Sequence, residues 1–410
     1  MSGPGKDGAG RPGQGGIAAV PRVAVIGANG HGRWHRRAIA PMHAAGQARL
    51  VALVDIQPVE PDPAAAVPDE VSIFTDHREM LRSARPDVVV VCTPPHTHLP
   101  LALDVLAAGA DLLLEKPPVV SMMEHRELAA MLDATGRACQ VGFQALGSAA
   151  LVELLTAVAA GRLGTVTGIG AVAAWQRGDA YYSRAPWAGR RLLNGRPVAD
   201  GALANPLAHA VMQGLAVAAG VAGEPAVPVR VELERYRVRP IEVDDTATIR
   251  VTNRSGPPVL VAVTLAAEGF IAGEIVVRGT AGDAVLEYPT DRLWLPGEDA
   301  LRPVPGRVGL LANLLAHRAD PERVPLIAPL ARTAGFTRVL EAVLGAPEPV
   351  LLGGDLVRHA GPRVDRVHMI SGIDGLLRTA ADRGRLLSEL AVPWAVRPYR
   401  VSLAGRETAG

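Results

Sequence analysis

Short apolar runs alternate with amphipathic patterns over residues 22–145. The runs read RVAVIGA, LVALVDI, DVVVVCT, DLLLEK and CQVGF. Between them lie helical patterns around residues 34–45, 77–83, 100–108 and 122–135. Val, Leu and Ile without polar alternation are typical of parallel strands that are buried on both faces. The alternation therefore predicts an α/β fold, a doubly wound parallel sheet of the Rossmann type.

The rhythm changes after about residue 145. A helix near residues 149–160 precedes a long helix that begins near Asn205, and a series of strand-like runs follows: VRVELERYRV, ATIRVT, VLVAVTLAA, GEIVVRG and AVLEY. Turn residues separate these runs, which predicts a C-terminal α+β domain with a mostly antiparallel sheet and helices on one face. We therefore expect a disordered tail (1–20), a Rossmann domain (21–145), an α+β substrate and oligomerisation domain (146–345) and a C-terminal extension (346–410).

Composition narrows the class of protein. The 410 residues are 49% hydrophobic and 20% charged, with a formal net charge of +1. A nearly neutral chain lacks the basic field that nucleic acid requires, so no nucleic acid partner is expected. The Gly- and Pro-rich start has no apolar signal-peptide core, and no run of about 18 apolar residues follows, so we expect a cytoplasmic protein without membrane contact. Cys92 and Cys139 belong to no Cys/His cluster, which predicts reduced thiols and no metal site.

Lysine is almost absent from the chain. Of the 42 Lys and Arg residues, only Lys6 and Lys116 are lysines. Lys6 falls in the tail for which we expect disorder, so the folded body has one ε-amine. A chain that uses Arg elsewhere has a reason to retain Lys at position 116.

A glycine-rich loop joins the first strand to the first helix. Such a loop holds a pyrophosphate on backbone N–H groups at a helix N-terminus, which predicts dinucleotide binding; a merely structural turn is the alternative. Asn replaces the usual second glycine, and Asn tolerates positive φ better than most residues. The loop residues assigned to the cofactor are Gly27, Asn29, Gly30, His31 and Gly32.

Asp55 ends the second strand. A carboxylate there can bind the ribose hydroxyls and repels a 2′-phosphate, so NAD is favoured over NADP as the cofactor. The alternative is an Asp that only caps a turn.

Three further segments complete a resemblance to a known family. They are Thr93-Pro94 with His98, Glu115-Lys116-Pro117, and Val141-Gly142-Phe143-Gln144. With the glycine loop, they resemble the Gfo/Idh/MocA oxidoreductases, the family of glucose-fructose oxidoreductase and inositol dehydrogenase. The resemblance implies an NAD-dependent enzyme. It adds to the cofactor-binding set Thr93, Pro94, His98, Glu115 and Gln144.

The resemblance also assigns the catalytic pair. It places Lys116 beside the nicotinamide and the substrate hydroxyl, where a partly desolvated amine has a lowered pKa. It matches the run from Gly201 to His209 to a helix start that faces the nicotinamide, which makes His209 the candidate proton acceptor. A surface lysine and a buried structural histidine are the alternatives.

Two positions depart from the family pattern. Asn205 stands where the family usually has Asp, and Met212 takes the place of a later Asp. Asn cannot carry negative charge, so Asp200, five residues earlier, is a candidate source of the carboxylate.

Aromatic and basic residues crowd one short segment. The chain has 5 Trp and 5 Tyr, and two of each fall between positions 175 and 187. Aromatic faces stack on sugars and Arg binds carboxylate or phosphate, so we expect a loop that shapes a substrate; packing on a neighbouring subunit is the alternative. The substrate-binding residues predicted here are Trp175, Arg177, Tyr181, Tyr182, Trp187, Asp200 and Asn205.

The predicted activity is hydride transfer between nicotinamide and a carbinol carbon of a sugar, cyclitol or related polyol. An NAD-dependent glycosidase or lyase that uses transient oxidation, and a non-catalytic NAD-binding sensor or assembly protein, are the alternatives. We also expect a homodimer or homotetramer formed through an exposed face of the C-terminal sheet.

Overall fold

The computed structural model describes residues 19–404. Residues 1–18 of the predicted tail, including Lys6, lie outside the described residues. The first domain is a six-stranded parallel sheet. Its strands are β1 Arg22–Ile26, β2 Arg49–Val54, β3 Ser72–Phe74, β4 Val88–Val91, β5 Asp111–Leu114 and β6 Cys139–Val141. The helices are α1 Gly32–Ala44, α2 His77–Ala84, α3 His98–Ala107 and α4 Met122–Thr135.

The strand order β3-β2-β1-β4-β5-β6 is that of a dinucleotide-binding fold and confirms the predicted class. Burial explains the unbroken apolar runs, since every residue of β4 and β5 is buried. Polar caps set the helix boundaries: Asp76 accepts from two N–H groups at the start of α2, and Ser121 accepts from Glu124 at the start of α4.

The order of the strands reverses between β1 and β4, and ligand crevices form at the carboxyl ends of strands beside such a point. Gly27 follows β1 there, and Cys92 follows β4. A Cβ on Gly27 would lie 2.2 Å from the carbonyl oxygen of Cys92. Only glycine therefore permits this close approach of the two strand ends.

The second domain is built on a ten-stranded sheet, in the order β16-β15-β14-β13-β7-β12-β11-β10-β17 with β20 also paired to β10. Its strands are β7 Val166–Gln176, β10 Pro228–Arg237, β11 Thr246–Asn253, β12 Val259–Thr264, β13 Ala266–Gly279, β14 Ala284–Glu287, β15 Arg292–Trp294, β16 Arg302–Pro303, β17 Val350–Leu351 and β20 Tyr399–Ser402. Two small hairpins add β8 Leu192–Leu193 with β9 Arg196–Pro197, and β18 Val357–Ala360 with β19 Val367–Ile370. The helices are α5 Ala149–Ala159, α6 Asp179–Ser183, α7 Ala208–Ala222, α8 Leu310–Ala319, α9 Ala334–Leu344 and α10 Ile373–Arg383. Only the β7–β12 and β10–β17 pairs are parallel, so the mostly antiparallel sheet is confirmed.

Helices cover both faces of this sheet, and the prediction of helices on one face was wrong. A Cβ on Gly214 of α7 would lie 2.6 Å from Val259, whereas a Cβ on Gly170 of β7 would lie 2.2 Å from the carbonyl oxygen of Ala381 in α10. Side chains alternate along a strand, and Leu260 packs in the cluster of α10 while Val259 packs in the main core. The C-terminal extension therefore occupies the face through which we expected subunits to pair. The oligomeric state itself stays a prediction.

The same extension also holds the aromatic segment. Gly178 forms a β-bridge with Val367, Asp179 N–H donates to the carbonyl oxygen of Arg366 at 3.1 Å, and Ala180 N–H donates to Asp365 Oδ1 at 2.9 Å. The hairpin β18–β19 thus sets the position of α6.

A polar contact joins the two domains along the edge strand β6. Val141 N–H donates to the carbonyl oxygen of Ala328 at 2.8 Å, and the Gln140 amide donates to Asn313 Oδ1 at 2.5 Å. Arg318 of α8 pairs with Asp111 at the start of β5. Within residues 19–404, no helix combines the length and the hydropathy that crossing a bilayer requires.

Replacing Leu377 tests the packing of α10. Leu377 is 0% exposed, so Leu377→Ala should lower the free energy of unfolding by about 2–5 kcal/mol. Arg383→Ala, at the exposed end of the same helix, is the control and should leave stability nearly unchanged. Chemical unfolding measures both, and equal unfolding midpoints for the two variants would contradict the observed packing.

Candidate active site

The glycine loop has the shape that a pyrophosphate requires. Gly27 has φ +86° and Gly30 has φ +53°, and a Cβ on Gly32 would lie 1.8 Å from the carbonyl oxygen of Gly27. The first turn of α1 contains no acidic residue, so its N-terminal N–H groups retain their attraction for an anion. Asn29 does not have a positive φ, so the tolerance of Asn for that conformation is not why it is accepted. These features fit a bound dinucleotide.

Asn29 links the loop to the end of β2. Its backbone N–H donates to Asp55 Oδ2 at 2.9 Å, and its side chain accepts from Glu60 N–H at 2.8 Å and donates to the carbonyl oxygen of Pro58 at 3.0 Å. Asp55 Oδ1 accepts from Gln57 N–H at 3.0 Å. The bonds hold the Asp55 carboxylate beside the loop, where a ribose would lie. The side chain of Asn29 acts within the protein rather than on a ligand.

Glu115 is the centre of a buried polar cluster behind the loop. Its Oε1 lies 2.9 Å from His35 Nε2, 3.6 Å from His31 Nε2 and 3.2 Å from the donating amide of Gln144. Burial opposes ionisation of Glu115, but the hydrogen bonds from the two histidines outweigh it and hold the pKa of this carboxyl well below its usual value. The loop, α1 and the segment after β6 are therefore tied to the end of β5.

The same three side chains are close enough to be considered as a metal site. The ligand atoms of His31, His35 and Glu115 lie within 4.8 Å of one another. Hydrogen bonds within the cluster already explain this closeness, so we assign no metal here.

His98 positions loops instead of facing the crevice, whereas the half-buried Thr93 lies beside Gly27 of the glycine loop. The His98 ring is 0% exposed, and its two nitrogens lie 2.8 Å from the carbonyl oxygen of Pro117 and 2.7 Å from that of Thr93. Both ring nitrogens are engaged, so the prediction that His98 binds the cofactor directly was wrong. The ring joins the turn after β5 to the turn after β4. Thr93 hydrogen-bonds Thr97 at 2.7 Å, and Pro94 immediately precedes the short 3₁₀ turn Pro95–Thr97.

Lys116 follows β5 and reaches across to the second domain. Its Nζ donates to the backbone oxygen of Asn205 at 2.8 Å and to Asn205 Oδ1 at 2.6 Å. Burial lowers the pKa of Lys116, and the negative charges of Glu115 and Asp200 partly offset that effect. The predicted amine is thus inside the cleft between the domains, and the alternative of a surface lysine is not what the structure has.

The side chains of Asn205 and Asp200 are hydrogen-bonded to each other. Asn205 lies in the turns before α7, which begins only at Ala208, so the predicted helix start was three residues early. The Asn205 amide donates to Asp200 Oδ1 at 2.8 Å. Asp200 is 1% exposed and also accepts from Arg184 Nη2 and Gly189 N–H, each at 2.7 Å. Three hydrogen bonds within the protein hold this buried carboxylate, and direct contact of Asp200 with a substrate stays a prediction.

His209 is in the first turn of α7, next to the same cluster. Its ring packs edge-on against Phe143 with centroids 5.6 Å apart, and its Nδ1 is buried without a hydrogen-bond partner. Burial, followed by the nearby positive charge of Lys116, lowers the pKa of His209 to about 3. The imidazole is therefore neutral at physiological pH.

The aromatic and basic side chains stack on one another. Arg184 lies 3.7 Å from the ring centre of Tyr181 and 4.5 Å from that of Trp187, and Arg177 lies 5.0 Å from the ring centre of Trp175. Cation–π stacking of this kind makes the segment a preorganised wall. Its connection to the site is Arg184, which reaches Asp200.

Tyr182 lies at one end of this wall. Its ring packs edge-on against Tyr181 with centroids 5.1 Å apart, lies 5.0 Å from Arg239 and borders a cavity of about 290 Å³ beside Ile241 and His368. Its contact with a substrate stays a prediction.

Two residues at the site were not predicted from the sequence. His35 supports Glu115, and the His31/His35 spacing of four on a helix that starts at the glycine loop could have indicated it. Arg307 donates to the backbone oxygen of Gln144 at 3.0 Å and pairs with Asp291 at 2.7 Å. It lies far along the chain, and no motif there identifies it.

Known proteins match the first domain in sequence. Residues 21–143 match the GFO_IDH_MocA family model, described as an oxidoreductase family with an NAD-binding Rossmann fold. Inositol 2-dehydrogenase of Paracoccus denitrificans is 32% identical over 142 residues, 34% of this chain and 41% of that protein. D-glucoside 3-dehydrogenase of Escherichia coli is 31% identical over 112 residues, 26% of this chain and 30% of that protein. The chain thus matches at most about two fifths of the length of these two relatives.

Solved structures match both domains in fold. The WlbA dehydrogenase from Bordetella pertussis, solved with NADH and UDP-GlcNAcA, has a TM-score of 0.63 and 21% identity, with 82% of this chain and 100% of that chain covered. GenD2 from gentamicin A biosynthesis, solved with NAD, has the same TM-score and identity, with 83% and 96% covered. At this identity the likeness concerns the fold alone.

The low pKa of His209 predicts a pH dependence of stability. An unfolded histidine titrates near 6.5, so below that pH the unfolded chain binds a proton that the folded chain does not, and the free energy of unfolding falls. By pH 5 the loss attributable to His209 should reach about 2 kcal/mol, and above pH 7 it should vanish. Gln does not titrate, so His209→Gln lacks this pH-dependent loss. Between pH 7.5 and 5, the free energy of unfolding measured in urea should therefore fall less for the variant than for the wild type.

The control for this experiment is His359→Gln, because that exposed side chain lies on β18 and contacts His368 of the same hairpin, not His209 or Lys116. It should show the wild-type pH dependence. Parallel stability–pH curves for His209→Gln and the wild type would exclude a buried neutral imidazole at this position.

Proposed function

We propose that the chain is an NAD-dependent oxidoreductase, because residues 21–143 match the model of the GFO_IDH_MocA oxidoreductase family with its NAD-binding Rossmann fold. The proposed reaction moves a hydride between nicotinamide and a carbinol carbon of a sugar, cyclitol or related polyol. The observation that carries the proposal is Lys116, the only lysine among residues 19–404, which lies in the interdomain cleft with its amine on Asn205.

NAD supplies the hydride acceptor when bound, and the protein binds, orients and handles the proton. Gly27, Gly30 and Gly32 would let the backbone approach the pyrophosphate, and the start of α1 would favour its charge. Asp55 would accept from the ribose hydroxyls while its bond to Asn29 keeps it in place. The cluster around Glu115 would fix the floor of the cleft.

The proton of the substrate hydroxyl must go to a group that can hold it. His209, which the sequence indicated as the acceptor, has its pKa lowered to about 3, mainly by burial, so it holds a proton poorly. The pKa of Lys116 is lowered by burial and so moves toward neutrality from the alkaline side, which favours proton exchange. We therefore assign the proton to the unprotonated form of Lys116, whose Nζ lone pair takes it up to give the ammonium form, and we assign to the neutral His209 the orientation of the hydroxyl group.

The aromatic wall supports a polyhydroxylated substrate. The centre of the Tyr181 ring lies 3.7 Å from the guanidinium group of Arg184 and 5.3 Å from that of Arg177. Trp187 and Trp175 are half-buried and also contact these arginines, so a sugar ring would stack on the indole surface that the arginines leave exposed. Arg177 at the edge of the wall would then bind a hydroxyl or carboxylate group of the substrate.

The proposal predicts that Lys116→Ala abolishes turnover and leaves NAD binding nearly intact, because the amine is outside the glycine loop. NADH absorbance with a panel of sugars, cyclitols and sugar acids measures turnover, and calorimetric titration with NAD measures binding. Lys6→Arg, which alters the only other lysine, should behave as the wild type.

Two results would contradict the proposal. Full activity of Lys116→Ala would remove the amine from the mechanism. Substrate conversion by the wild type without net NADH would instead indicate transient oxidation followed by elimination.

A further inference from the structure

A chain of hydrogen bonds runs from Lys116 to a buried carboxylate. Lys116 Nζ donates to Asn205 Oδ1 at 2.6 Å, and Asn205 Nδ2 donates to Asp200 Oδ1 at 2.8 Å. The two donors lie in different domains, and Asn205 is the only side chain between the amine and Asp200 in this chain of bonds.

The chemistry of the end groups sets the direction of the bonds. An ammonium group has only donors and a carboxylate only acceptors, so the central residue must accept on one side and donate on the other. An amide does both, and its oxygen and nitrogen are thereby assigned without ambiguity. A carboxylate at position 205 would instead face Asp200 at hydrogen-bond distance, where two like charges repel.

The charge of Asp200, at the other end of this chain of bonds from Lys116, acts strongly on its neighbours because Asp200 is buried. Asp200 is 1% exposed, so water does not screen its field. Its other partners are Arg184 Nη2 and Gly189 N–H, each at 2.7 Å. Arg184 therefore brings a full positive charge to the Asp200 carboxylate, whereas the Gly189 N–H group and the Asn205 amide are neutral donors.

We propose that Asp200 is a positioning residue that acts on Lys116 through the Asn205 amide, so that a carboxylate two hydrogen bonds away sets the location and protonation of the amine. This inference rests on the proposed function for its catalytic meaning. Its physical content, the coupling of three side chains, is independent of any substrate.

Other titratable and charged groups around Lys116 also affect its proton affinity. Glu115 and Cys92 lie on its own side of the cleft, and Arg184 lies on the other. His209 on α7 also faces the amine and is neutral. Glu115 favours the ammonium form and Arg184 opposes it, so the effect of Asp200 must be measured as a difference between variants.

The relay, which is the chain of hydrogen bonds from Lys116 through Asn205 to Asp200, also connects Lys116 to the aromatic wall. Arg184 stacks between Tyr181 and Trp187, and the preceding helix α6 is held by the C-terminal hairpin. A displacement of the wall that withdraws Arg184 would leave more of the charge of Asp200 to act through Asn205. The proton affinity of Lys116 should then rise.

The test uses the scarcity of lysine in the full-length protein. Acetic anhydride labels unprotonated amines, and mass spectrometry of Lys116 and Lys6 peptides across pH gives a titration midpoint for each residue. Asp200→Asn should lower the Lys116 midpoint by about one pH unit, because it removes an opposite charge. Arg184→Gln should raise it. Lys6 in the same samples serves as an internal reference and should not shift.

Asp111→Asn is the matched control. Asp111 is also buried and bound by an arginine and a backbone N–H group, but it lies at the opposite end of β5 from Lys116. It should leave the Lys116 midpoint unchanged. An unchanged midpoint in Asp200→Asn, or an equal shift in Asp111→Asn, would overturn the proposal.

The role of the amide is tested by repeating Asp200→Asn in an Asn205→Ala background. The shift should then fall to less than half of its value in the wild-type background. An undiminished shift would mean that Asp200 acts through space, and the relay would be wrong. If Asp200→Asn does not fold, Arg184→Gln with and without Asn205→Ala decides the same question. None of these measurements requires turnover, so they stand even if no polyol is oxidised.

Discussion

The two hydrogen bonds from Lys116 to Asn205 are the contact on which the arrangement of the site depends. They join the carboxyl end of β5 to the turns that precede α7, and so close the cleft between the domains at the depth of the glycine loop. An amine held in this way is fixed in position by acceptors on the opposite domain. Its neighbours then determine whether it carries a proton.

Burial shifts the pKa values of the neighbours Glu115 and His209. Burial opposes the ionisation of Glu115, but the two neighbouring histidines hold its pKa low, whereas burial and the positive charge of Lys116 keep His209 neutral. Asp200 accepts hydrogen bonds from Arg184 and Asn205. Buried groups whose pKa values are displaced by such specific partners are typical of functional sites. Here the displacements concentrate the capacity for proton exchange on Lys116, which the resemblance to oxidoreductases also indicated as catalytic.

The C-terminal extension stabilises the site from outside. Its helix α10 covers one face of the large sheet, and its hairpin pairs with the segment that carries Arg184. A face buried by the chain itself does not need a second subunit to remove its apolar surface from water. The extension therefore links the packing of the sheet to the position of the aromatic wall.

Much of the first domain was determined by the sequence alone. Short unbroken runs of β-branched residues such as VVVV favour strands buried on both faces, and the placement of glycines after β1 and the isolated lysine after β5 are local signals. The roles of His98, Asn29 and Asp200 could not be predicted from the residues next to them in the sequence. His98 is buried because two loops from different strand ends close over it, and Asp200 is buried where Arg184 and Asn205 donate to its carboxylate. Whether a polar side chain faces a ligand or another part of the protein depends on which partners the fold brings within hydrogen-bond distance. Residue type and spacing do not contain that information, so only the tertiary structure could decide it.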